Sequence, residues 1–141
     1  MADRHTARVR SYNMSRIRSR STRPELLIRK FLFAQGLRFR LHVKHLPGKP
    51  DIVLPKYRIA ILVNGCFWHA HENCRYSRLP QSRQDYWIPK ILRNKQKDQE
   101  NIQALSKLGW RVITVWECTL RPGKLEGTLR KILGNIPAEN R

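Results

Sequence analysis

Apolar residues occur in separated runs whose spacing changes along the chain, and each change predicts an element. Thr22-Arg-Pro-Glu25 reads as a capping box with Pro24 at the first helical position, and Leu26, Leu27, Phe31 and Leu32 supply the apolar face of a helix that Gly36 ends. Leu37 to Val43 alternates apolar and polar side chains, the period of a half-buried strand, and a turn follows at Leu46-Pro-Gly-Lys-Pro50. Asp51 to Leu54 and Arg58 to Val63 are two short β-rich runs separated by Pro55-Lys-Tyr57, which suits a hairpin. The second run is nearly all apolar and belongs at the centre of a sheet.

Residues 64 to 80 follow neither period, yet hold Gly65, two cysteines, two histidines and Pro80. Such a segment needs a special reason to be ordered, and a metal would supply one. Ser82 to Leu108 reads as a long charged helix with Ser82 and Asp85 in capping positions, Pro89 in its first turns and Gly109 as its stop. Trp110 to Glu117 is another buried strand, and Lys124 to Leu133 a last helix ending at Gly134. The order helix, three strands, long helix, strand, helix predicts a single α/β domain, a mixed β-sheet flanked by helices.

Charge narrows the partner. Lys plus Arg number 29 against 10 Asp plus Glu, a formal charge of +19. That much like charge opposes compaction unless a polyanion neutralises it, so nucleic acid is the expected partner. No membrane partner is expected, because no apolar run approaches the ~20 residues of a span. The first residues carry Arg4, Arg8, Arg10, Arg16, Arg18 and Arg20 and few large apolar groups. The expected organisation is a basic DNA-contacting arm over 1–20, a folded domain over 21–136 and a tail over 137–141. No secretory signal opens the chain, so a cytoplasmic location is expected.

Three cysteines are an odd number, which argues against a disulfide framework and for metal or free thiols. Cys66, His71 and Cys74 form a compact Cys-x4-His-x2-Cys run, and Cys118 can donate a fourth ligand from the end of a strand. The competing reading is three buried free thiols and an exposed histidine. Asp51, at the start of a strand, is a hard oxygen donor suited to Mg²⁺ or else a turn residue. His69 is left over as a candidate proton acceptor near Asp51, or a packed histidine. Phe67 and Trp68, with Trp87, are either core or aromatic wedges for unstacked DNA.

Taken together, Pro47-Gly-Lys-Pro-Asp51, Asn64-Gly-Cys-Phe-Trp-His-Ala-His71, Trp87 opening the long helix, Lys107-Leu-Gly-Trp-Arg-Val112 and Val115-Trp-Glu-Cys118 resemble the very-short-patch-repair mismatch endonucleases. The resemblance runs from Ala2 through about Lys131. It implies a fold related to the PD-(D/E)xK nucleases and a strand-specific nick 5′ of the thymine in a T·G mismatch, the product of 5-methylcytosine deamination. It further implies that Asp51 and the main-chain carbonyl of Val63 bind catalytic Mg²⁺, that His69 is the general base, and that Glu25 and Asp98 hold waters around the metal. Cys66, His71, Cys74 and Cys118 match the family's structural zinc set. Two positions depart from the best-known pattern. Position 64, a candidate for an assisting catalytic role, is Asn where some relatives have His or Asp, and two residues rather than one separate His71 from Cys74. The implied partners are mismatched double-stranded DNA and the mismatch-repair and repair-polymerase proteins, with the chain acting as a monomer at the bacterial nucleoid. Two rival readings are a zinc-stabilised, non-catalytic nucleic-acid-binding protein and a restriction-type nickase of the same fold.

Overall fold

In the computed structural model, which describes residues 22–137, three helices pack on a four-stranded mixed sheet in the order β1-β2-β3-β4. Helix α1 spans Arg23–Ala34 and starts where the sequence places it, with the Thr22 hydroxyl accepting from the Glu25 N–H at 3.4 Å. Its buried face keeps Leu27, Phe31 and Leu32 of the expected set and departs from it at Leu26. Glu25, Ile28 and Leu32 are buried, Leu27 and Phe31 are partly buried against the core, and Leu26 points outward.

Strand β1 is only Arg40–Leu41, far shorter than the alternation over 37–43 suggests. His42 has φ +49, which breaks the extended backbone, although its N–H still donates to the Asp51 carbonyl at 3.0 Å. Strands β2 (Ile52–Leu54) and β3 (Ile59–Asn64) form the expected antiparallel hairpin. A 3-10 turn over Pro55–Tyr57 and Arg58 at φ +54 connect them. The Arg58 guanidinium then donates to the carbonyls of Leu108 at 2.7 Å and Gly109 at 3.5 Å, where helix α2 has ended and its carbonyls lack partners.

Helix α2 spans Gln84–Lys107, and Gly109 at φ +89 follows its end as expected. Its start corrects the expected cap: Arg83, in the left-handed region, is the N-cap and makes no side-chain cap bond, Ser82 lies outside, and Asp85 sits in the first turn. Strand β4 (Arg111–Trp116) pairs parallel with β3, the geometry a crossover through α2 requires. It forms the sheet's edge and is only half-buried, with Val115 its one buried residue, so the expectation of a fully buried strand does not hold. Helix α3 spans Leu125–Gly134, with Gly134 inside its last turn rather than beyond it.

The core gathers Ile28 and Leu32 from α1, Ile52, Leu54, Ile59 and Ile61 from the hairpin, and Ile132 from α3. β3 is central, as its apolar run requires, because both of its flanks and its faces are covered. Two consequences of register place the chemistry. Pairing Ile52 with Ile61 sets the start of β2, and so Asp51, beside the end of β3. Pairing Asn64 with Trp116 sets the residues that leave β3 beside those that leave β4. The loop before Asp51 is pressed on α2: at Gly48, φ +75, an added Cβ would stand 2.9 Å from the Asn101 Cβ, so glycine is required both for the turn and for the approach.

Candidate functional site

The parallel register explains the first cluster. Cys66 and Cys118 each lie two residues beyond the paired Asn64 and Trp116, so the two strands deliver them side by side. The Cys118 N–H donates to the Cys66 sulfur at 3.4 Å, and the Cys118 sulfur lies 3.4 Å from His71 Nδ1. Cys74 completes the group: one ligand atom from each of Cys66, His71, Cys74 and Cys118 lies within 4.8 Å of all the others. A tetrahedral metal with sulfur ligands at about 2.3 Å requires such close donors. The His71 ring stacks on Trp116 at 4.1 Å with a 5° interplanar angle, and the Ser77 hydroxyl donates to the carbonyls of His71 (2.7 Å) and Cys74 (2.8 Å). The irregular segment is thus pinned at both ends of its ligand run.

The thiol environments fit a cation. Burial pushes the Cys66 thiol up to about 12, so without positive charge nearby it stays protonated. Burial also acts on Cys74 in the same direction, but hydrogen bonds, the Tyr76 N–H foremost, bring it below the ordinary thiol value. A dication supplies the charge that the buried Cys66 thiolate lacks.

On the other side of β3 lies a set of oxygen donors. Asp51 Oδ2 accepts from the Val63 N–H at 2.7 Å, just past the end of the β2 ladder. Glu25, 1% exposed, comes from α1, and with His42 the three side chains each offer a ligand atom within 4.8 Å of the others. Burial raises the Asp51 carboxyl from 3.8 to about 6, against the lowering effect of the Val63 N–H, with the Glu25 charge raising it further. A carboxylate held this way is short of positive charge, and a divalent cation matches both the hardness of its donors and the deficit.

His69 and Asp98 form a separate pair. His69 Nδ1 lies 2.5 Å from Asp98 Oδ2, joining the loop after β3 to the middle of α2. A carboxylate only accepts, so Nδ1 carries the proton and Nε2 is the ring's basic nitrogen. The sequence reading gave Asp98 to waters around a metal; here its direct partner is His69. Asn64 is buried at the end of β3.

Phe67, Trp68 and Trp87 meet edge to face, with centroids 5.1 Å (Phe67–Trp68), 5.3 Å (Phe67–Trp87) and 5.8 Å (Trp68–Trp87) apart. All three are half-buried and none belongs to the core cluster of the described residues. They form an aromatic knob of their own, tied to α2 by the Asn94 amide donating to the Trp68 carbonyl at 3.1 Å.

Sequence reasoning missed His42. It occupies a polar position of a strand-like alternation, and nothing in that pattern distinguishes it from a surface residue; only the proximity of α1 and β2 gives it Glu25 as a partner, at 2.7 Å. No helix of the described residues is long and apolar enough to cross a membrane.

Known proteins align with this framework. The family model described as DNA mismatch endonuclease Vsr matches residues 2–75. The chain is 52% identical over 134 residues to the type II nicking enzyme V.XorIIP of Xanthomonas oryzae pv. oryzae, covering 94% of this chain and 98% of that protein. It is 46% identical to the type II nicking enzyme V.NmeAIP of Neisseria meningitidis, covering 86% of each. It is 45% identical to the DNA mismatch endonuclease Vsr of Escherichia coli, covering 86% of this chain and 77% of that protein.

Proposed function

The chain belongs to the Vsr family of DNA mismatch endonucleases and is a DNA-nicking hydrolase; from that premise we propose that it nicks one strand 5′ of the thymine of a T·G mismatch, with Mg²⁺ at Asp51 and a structural zinc at the cysteine cluster. The family implies dependence on a divalent metal. The observation that carries the reading is the convergence at one end of β3 of a carboxylate pair, Glu25 buried and Asp51 half-buried, with a His69–Asp98 pair whose imidazole acts electrostatically on Asp51. Clustered carboxylates and a separately oriented base together supply both halves of hydrolysis.

Asp51 and the Val63 carbonyl would hold the Mg²⁺, with Glu25 and Asp98 beside them. When bound, the cation neutralises charge on the scissile phosphate and makes an attacking water more acidic. His69 takes that water's proton at Nε2, and the Asp98 carboxylate on Nδ1 fixes the ring's orientation and favours the imidazolium that results. Asn64, buried beside these groups, is assigned an assisting role. The relation to PD-(D/E)xK nucleases is supported by a β2–β3 hairpin that brings Asp51 to Val63.

Zinc is assigned to Cys66, His71, Cys74 and Cys118 because three sulfurs and one imidazole are its preferred tetrahedral set, and four protein ligands leave no open position for catalysis. Phe67, Trp68 and Trp87 are assigned as a wedge beside the mismatch, since a half-buried aromatic cluster outside the core has surface to offer to bases. The basic arm over 1–20, which lies outside the described residues, would follow the phosphate backbone of a domain spanning 21–136, as would the tail over 137–141 lie beyond it. We assign action as a monomer on nucleoid DNA in the cytoplasm, with repair proteins acting on the nick.

The test is nicking of duplexes that differ only in carrying a T·G or a matched C·G pair, with Mg²⁺ or with EDTA. Mg²⁺-dependent nicking confined to the T·G duplex is expected. Equal cutting of both would favour the restriction-type nickase, a reading to which the nicking-enzyme names of two relatives lend support.

A further inference from the structure

His42 has no task in the reading above, yet it joins two of that reading's principal groups. Its backbone N–H donates to the carbonyl of Asp51 at 3.0 Å, and its ring Nε2 lies 2.7 Å from Glu25 Oε1. It does this from the left-handed region, φ +49, a conformation that a side chain other than glycine adopts at a cost and that here ends β1 early. The residue therefore bridges the segment leading into β2, which carries Asp51, and the helix that carries Glu25.

Glu25 is 1% exposed and lies against a second carboxylate. Like charges this close, one buried and one half-buried, repel, and a buried carboxylate without a donor would turn or take up a proton. The other Glu25 oxygen is held by Arg29 at 3.3 Å, a longer bond from a partly exposed side chain. The shorter bond comes from His42, and because a carboxylate only accepts, it is His42 Nε2–H that donates. A nitrogen that donates to Glu25 offers no lone pair to a cation.

We propose that His42 is a positioning residue for the nicking reaction, its Nε2–H holding the Glu25 carboxylate against Asp51 so that the pair is preorganised for a divalent cation. This rests on the assignment of that cation to Asp51 and the Val63 carbonyl, with Glu25 beside them. Groups that orient metal ligands typically change metal affinity by about 10- to 100-fold when removed.

The experiment measures Mn²⁺ binding without DNA, by the resonance signal of the free ion, together with the metal dependence of nicking and the melting temperature, on the full chain. His42→Ala is expected to weaken Mn²⁺ binding by about 10- to 100-fold at an unchanged melting temperature, with nicking regained as the metal concentration is raised. His42→Gln, whose amide N–H can also donate to a carboxylate, is expected to restore most of the affinity. Wild-type affinity in His42→Ala overturns the proposal. So does a glutamine variant that fails to rescue while exchanging a preference for Mn²⁺ for one for Mg²⁺, which would make His42 a direct ligand, and so does unfolding of both variants, which would make it structural. Asp51→Asn, run alongside, separates the two levels: if it alone weakens binding, His42 falls and the cation site stands; if it leaves binding intact, the cation site itself is misassigned.

Discussion

Val63 and Cys66 are close neighbours where the chain leaves β3, but the donor sets on either side of them are built in different ways. Around Cys66 the donors are three sulfurs and an imidazole, drawn from one loop and the end of β4, with the imidazole stacked on Trp116. Behind Val63 they are two carboxylates, Glu25 from α1 and Asp51 from just before β2, the first hydrogen-bonded to the His42 imidazole and the second to the backbone. The first set is complete, so a metal there joins the loop to the sheet. The second holds negative charge in excess, which is why the cation proposed there is expected to correct an electrostatic deficit and to stay open to a substrate oxygen. Saturation makes a site structural and deficit makes it chemical.

Mutations on the two sides should therefore fail in opposite ways. The largest expected effect is on chemistry: Asp51→Asn and His69→Ala each reduce single-turnover nicking by at least about 100-fold, with DNA affinity near wild type and the fold retained. Release of zinc by His69→Ala would mean that the base and ligand roles are exchanged. Cys118→Ala comes next, on the other side of the comparison. Loss of one thiolate should cost about 4 kcal/mol or more of stability and lower the zinc content from about one per chain, which calorimetry and elemental analysis read directly. A folded, active, zinc-free variant would erase the distinction between the two sites.

A smaller effect separates charge deficit from ordinary burial. The folded protein holds the Asp51 proton up to about pH 6, whereas the unfolded chain releases it near 3.8. Ionisation of this group thus lowers the stability of the magnesium-free protein as pH rises from about 4 to about 6, by at most about 3 kcal/mol, and the cost persists at neutral pH. Asp51→Asn keeps an oxygen for the Val63 N–H, so it should raise the melting temperature of magnesium-free protein at pH 7 and lose that advantage below about pH 4. An equal rise at both pH values would remove the buried charge as its cause. The smallest effect belongs to the aromatic knob on the long helix α2. Trp68→Ala should leave thermal stability nearly unchanged and lower the preference for T·G over matched DNA by about 10-fold, on the scale of about 1–3 kcal/mol per stacked base. A loss of 3 to 5 kcal/mol of stability, roughly the cost of truncating a core aromatic, with selectivity intact would make Trp68 a packing residue.

Much of this was legible before any coordinates. Period and punctuation located all seven principal elements and the central position of β3, because an unbroken run such as Ile59 to Val63 has few places to hide but between two strands. They misjudged β1, whose alternation is cut by the backbone of His42, and β4, whose apolar residues suggested burial that an edge strand does not have. They also placed a cap at Ser82, since side-chain type says what a residue can cap but not where the helix begins.

The sequence by itself determined the chemistry in stock: an odd set of cysteines beside histidines, a carboxylate at the start of a strand, an excess of cationic side chains, and motifs whose order marks the family. Those are properties of residue type and local spacing, which the chain carries unfolded. The tertiary structure alone decided which groups meet. Register of β3 on β4 brings Cys118 to Cys66 across 52 positions, register of β2 on β3 aims Asp51 at Val63, and packing of α1 on the sheet buries Glu25 under His42. Such meetings depend on strand pairing and helix docking over long sequence separations, where a one-residue slip would turn each side chain to the opposite face.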